Sequence, residues 1–138
     1  MKVLFLDFDG VLHPSSPGID PLFSKALLLE QALKDIEIPI VISSSWRFTH
    51  SLVHLKEKLP KEVARKVVDV TGGAFVGKHP RYHEIQSYLN LNKEYVDWRA
   101  LDDSYWEFPS NCRQLIRCNP NSGIGIREIK LLNTWLTD

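Results

Sequence analysis

Two acidic pairs and a run of serines carry most of the chemistry this sequence can offer. Asp7 and Asp9 are one residue apart and follow the apolar run Val3-Leu4-Phe5-Leu6. Alternate side chains of a strand share a face, so the spacing predicts two carboxylates projecting to the same side. Carboxylates held close together repel, and one or both must find a cation or keep a proton. Gly10, next in the chain, allows a sharp turn or a close backbone approach. A second acidic pair, Asp102-Asp103, ends the run Tyr95 to Leu101, and Ser43-Ser44-Ser45-Trp46-Arg47 ends the run Ile38 to Ile42.

The elements that must position these groups read as strands alternating with helices. Val3 to Leu6 is unbroken rather than alternating in polarity, as in a strand covered on both faces of a parallel sheet. Ile38 to Ile42, Val67 to Val70, Tyr95 to Leu101 and Leu115 to Cys118 supply four more strands. Apolar stripes predict helices over Leu22 to Asp35 (Leu27 and Leu28 widening the face), Leu52 to Leu59, Arg81 to Leu89, and Ile126 to Leu136. The turn-rich stretch His13 to Pro21 is too short for more than a flap. Right-handed crossovers then give an α/β, three-layer, doubly wound and mainly parallel five-stranded sheet. Ligands of such sheets bind beyond the carboxyl ends of the strands, which is where the acidic pairs and serines fall.

Asp7-x-Asp9-Gly10-Val11-Leu12 after a short apolar strand resembles motif I of the haloacid dehalogenase (HAD) superfamily of phosphatases and phosphotransferases. Ser43, or Ser44 one place on, matches the motif II hydroxyl, Lys78 or Arg81 the motif III cation, and Asp102-Asp103 the acidic motif IV. The resemblance implies a single capless Rossmann-like domain over residues 1–138, with Asp7 as nucleophile and Asp9 as general acid and base. It implies Mg²⁺ held by Asp7, Asp9 through its backbone carbonyl, and one of Asp102 and Asp103, a donor set that suits a hard cation. Ser43, Ser44, Arg47 and the motif III cation would hold the phosphate oxygens. The small size, with I-S-S-S-W-R, R-x-x-E-I and L-D-D, is similar to the short HAD domains of Swiss Army Knife RNA repair proteins, which brings in an RNA or DNA 3′-phosphate end as substrate.

Other readings compete for single motifs. Gly72 to Lys78 has the G-x-x-x-x-G-K spacing of a nucleotide-binding P-loop, but His79 stands where Ser or Thr should hold Mg²⁺ and Pro80 lacks an N–H. Serines after a strand also cap helices, and Trp46 reads first as packing. His50/His54 and His79/His83 have a zinc-like spacing without an evident third ligand. A catalytically silent binding module is disfavoured by the presence of all four motifs.

Seventeen basic residues balance seventeen acidic ones, so no net field draws the chain to nucleic acid or an anionic membrane. Cys112 and Cys118 form no disulfide framework or C-x-x-C pair, and the apolar start is cut at Asp7, too early for a signal peptide or membrane span. Cytoplasm, with no obligate protein partner, is the expectation.

Overall fold

The computed structural model describes every residue except Pro17 and Asp20, so those two positions of the 13–21 loop lie outside the described residues. Strands β1 (Lys2–Leu6), β2 (Ile40–Ile42), β3 (Val67–Val70), β4 (Asp97–Asp102) and β5 (Leu115–Arg117) form one sheet in the order β3-β2-β1-β4-β5. Every neighbouring pair is parallel. The helices are α1 (Ala26–Ala32), α2 (Leu52–Glu57), α3 (Lys61–Lys66), α4 (Pro80–Leu91) and α5 (Ile126–Leu136). The doubly wound α/β sheet expected from the sequence is the one observed, and its strands are all parallel.

The unbroken apolar run of β1 follows from its central place in the sheet. Leu4 and Leu6 enter a core with Leu29, Leu33, Val63, Leu132 and Trp135, while Val3 and Phe5 enter a second core with Ile85, Tyr88 and Phe108. The first core lies under α1, α3 and α5, and the second under α4 and the segment joining β4 to β5. Each large side chain so buried is worth about 1.5–3 kcal/mol, and β1 is clamped in this way from both faces.

Two helices depart from their periodicity. In place of a helix over residues 22–35, α1 covers only Ala26–Ala32. Phe23 and Asp35 both take positive φ, near 63°, and the Lys25 N–H donates to the Leu12 carbonyl at 2.8 Å, so tertiary bonds override the pattern at its start. Leu27 and Leu28 point outward, and Ala26, Leu29 and Leu33 carry the burial. Between β2 and β3 the chain forms a 3-10 turn, Ser45–Phe48, then α2 and a separate α3 after Pro60. Helix α3 buries only Val63 and Lys66, too few residues to leave a periodic signal.

The chain runs outward from β1 to β3, then returns through α4 to β4 on the other side of β1. That reversal opens a crevice between the carboxyl ends of β1 and β4. Among the described residues no helix is long and apolar enough to cross a membrane.

Candidate active site

Strand register brings the motif residues into one row along the carboxyl edge. Leu6 is in register with Ile42 and Leu101, and Ile42 with Val70. The ladder continues one step, with Ser43 N–H donating to Leu6 O (2.9 Å), Asp7 N–H to Leu101 O (3.0 Å) and Thr71 N–H to Ile42 O (3.0 Å). Thr71, Ser43, Asp7 and Asp102 therefore stand side by side, all nearly inaccessible to solvent.

Asp7, Asp102 and Asp103 each offer a carboxylate oxygen, and the three lie within 4.8 Å of one another. Gly10 makes room for the third: φ is +77°, and a Cβ there would lie 2.2 Å from Asp103 Oδ2. The Asp9 carboxylate is not a member of this trio. Strand β1 ends at Leu6, so strict alternation does not reach Asp9, which instead accepts from His13 Nε2 (2.7 Å) and Trp46 Nε1 (3.0 Å).

Of the two motif III candidates, Arg81 lies against the carboxylates and Lys78 is exposed in the preceding loop. Arg81, in the first turn of α4, contacts Asp102 at 2.5 Å, Glu107 at 3.3 Å, Asp7 at 3.5 Å and Glu84 at 3.9 Å. Arg47 is bonded to protein groups. Its guanidinium donates to the carbonyls of Ser43, Ser44 and Gly72 and to Glu84 Oε1 at 2.9 Å, tying the end of β2 to the β3 loop and α4. Ser44 caps the 3-10 turn by accepting from Trp46 N–H, whereas the buried Ser43 hydroxyl has no partner among the described residues.

Burial, reinforced by Asp102, pushes the Asp7 carboxyl well above the usual carboxylate range, with Arg81 only partly offsetting this. Burial raises Asp103 as well, again with help from Asp102, and raises Glu107 against the pull of Arg81. Burial works against the Arg81 charge, but Asp102, Asp7 and Glu107 outweigh it and hold the guanidinium more firmly protonated than usual. Burial lowers Arg47, opposed by Glu84.

Five carboxylates (Asp7, Asp102, Asp103, Glu84 and Glu107) thus surround two guanidiniums, Arg47 and Arg81. A hard divalent cation fits the oxygen donors of Asp7, Asp102 and Asp103 and the surplus of negative charge around them. Ser43 Oγ, Thr71 Oγ1 and Arg81 Nε are buried without a hydrogen-bond partner among the described residues, Arg81 Nε lying 3.9 Å from Glu84 Oε1. Each leaves a desolvation cost of about 1–3 kcal/mol that a bound acceptor would relieve.

Elsewhere the rival motifs find other uses. The Phe75 N–H, within the P-loop-like stretch, donates to Glu84 Oε2. His83 stacks on Phe75, His50 stacks on Trp46, and His79 lies 3.2 Å from the Trp106 carbonyl. Cys112 and Cys118 are both free. Sequence reasoning missed Thr71, Glu107 and His13. Thr71 was findable as a hydroxyl ending a strand, as Ser43 is, but Glu107 and His13 reach the site through loops that carry no periodic signal.

A family model described as the HAD domain in Swiss Army Knife RNA repair proteins matches residues 3–128. No curated protein and no solved structure matches the chain.

Proposed function

The chain belongs to the HAD domains of Swiss Army Knife RNA repair proteins, and from that premise we propose that it is a Mg²⁺-dependent phosphatase working through an aspartyl-phosphate. The observation that carries this reading is the Asp7, Asp102 and Asp103 trio beside the unpartnered Ser43 hydroxyl. When bound, Mg²⁺ would be held by Asp7, the Asp9 carbonyl and Asp102 or Asp103, and would neutralise charge between nucleophile and phosphate.

Asp7 attacks phosphorus while the bond to the leaving oxygen breaks and Asp9 passes it a proton. A water then attacks the acyl phosphate, Asp9 takes its proton, and Asp7 is released with inorganic phosphate. Ser43 and Arg81 donate to the equatorial oxygens as charge builds, and Arg81 also holds Asp7 in place. The residues act as one HAD-like domain with no cap to close over the site, which suits a bulky substrate. The proposed substrate is an RNA or DNA 3′-phosphate end, and the RNA repair in the family's description supports a nucleic-acid substrate. The free thiols of Cys112 and Cys118 fit a reducing, cytoplasmic setting.

Mg²⁺-dependent hydrolysis of an aryl phosphate by wild type and Asp7→Asn tests the reading. Wild-type turnover that Asn at position 7 abolishes supports it, and equal turnover by both proteins rules it out. Screening 3′-phosphate oligonucleotides beside phosphorylated metabolites tests the substrate, and a preference for small sugar phosphates counts against a nucleic-acid end. The engagement of Phe75 N–H by Glu84 leaves the P-loop alternative without one of its phosphate donors.

A further inference from the structure

Within this phosphatase reading, on which the inference rests, we infer that His13 and Trp46 are positioning residues that orient the Asp9 carboxyl for proton transfer and take no proton from it. His13 is fully buried. Its Nδ1 accepts the Phe23 N–H at 3.0 Å, so that nitrogen carries no proton, and Nε2–H donates to Asp9 Oδ1 at 2.7 Å. The two bonds together select the tautomer with its proton on Nε2. Phe23 donates that N–H from a left-handed conformation, φ 63°, which is a strained one for a phenylalanine.

Trp46 supplies the second clamp, its indole N–H donating to Asp9 Oδ2 at 3.0 Å. The ring packs against Phe8 and Phe23, which also packs on His13, so neither donor is free to turn away. Each Asp9 oxygen thus receives one N–H. Neither donor can accept a proton: the indole has no basic lone pair, and the free pair of His13 is taken by Phe23. Two of the four carboxylate acceptor positions remain, on a side chain that is 50% exposed. A proton on Asp9 therefore occupies one of these two positions, from which it passes to the leaving oxygen in the first step, and Asp9 takes a proton from water in the second. His13 is therefore not a second acid or base, although it sits where a relay would.

The effect should scale with how much protonation the leaving group needs. Single-turnover release of the leaving group is measured for an alkyl phosphate and for 2,4-dinitrophenyl phosphate, whose phenolate departs unprotonated. Trp46→Phe keeps the ring and deletes the N–H. It should slow alkyl release about 10-fold or more, within the range of general acid catalysis, change dinitrophenol release less than about 2-fold, and leave KM unaltered. His13→Leu should show the same selectivity, and His13→Gln, which restores an N–H, should recover most of the alkyl rate. Equal slowing on both esters, or no slowing on the alkyl ester, overturns the inference while the phosphatase reading stands. Failure of the wild type to hydrolyse either ester with Mg²⁺ overturns both.

Discussion

Arg81 contacts four carboxylates with one guanidinium, and that shortage is the chemical signature of the site. Replacing it with Met strands Asp7 and Asp102 in a buried pocket, a loss of about 3–5 kcal/mol by analogy with other broken buried pairs. Denaturant unfolding of Arg81→Met in EDTA checks this, and Mg²⁺ should restore part of the loss. Gly10 is the second sensitive residue. Ala there must hold φ +77° and displace Asp103 from a Cβ 2.2 Å away, so Gly10→Ala should weaken Mg²⁺ binding at least 10-fold by titration calorimetry. At this scale the sequence was legible where a motif coincided with a strand end, as at Asp7, Ser43 and Asp102. It was opaque for Arg47, whose place after the serines suits a phosphate as well as it suits the carbonyls it binds.

Helix α4 reaches the sheet edge through side chains at its start: Arg81 goes to the carboxylates, and Glu84 joins Arg47 to Phe75 N–H. Arg47 in turn ties the end of β2 to Gly72 beyond β3. Arg47→Met removes these ties and leaves Glu84 with a weaker partner at 3.9 Å. The expected result is a lower melting temperature, corresponding to about 3 kcal/mol, with KM for aryl phosphate within about 2-fold of wild type. A raised KM at unchanged stability would instead assign Arg47 to the phosphate. Strands β1 and β2 were readable because burial on both faces forces an apolar run, and the edge strand β3 was delimited at its observed ends by its β-branched valines. Helix α1 was not, because the Phe23 and Lys25 amides are claimed by His13 and Leu12 from outside the helix.

At the scale of the whole molecule, the acidic edge links stability to pH and to metal. The raised Asp7 carboxyl keeps its proton in the folded state at pH values where the unfolded chain, with carboxyls near about 4, has lost it. Fewer protons on the unfolded state mean that stability falls as pH rises through that window, and the contribution is fully present only below it. In EDTA, the melting temperature of wild type relative to Asp7→Asn should therefore decline from about pH 4 upward. Saturating Mg²⁺ should reverse the decline near neutrality, by about 2.7 kcal/mol at a hundredfold excess over its Kd. The overall topology was legible because the order of strands and helices leaves few right-handed arrangements.

A nucleophilic Asp7 leaves a covalent product that can be trapped. Wild type mixed with Mg²⁺ and a phosphate ester, then acid-quenched within one turnover, should yield the peptide containing Asp7 heavier by one phosphoryl group. Substitution Asp7→Asn should abolish that adduct. Rapid wild-type turnover with no phosphoryl group on Asp7 at any quench time would contradict the account.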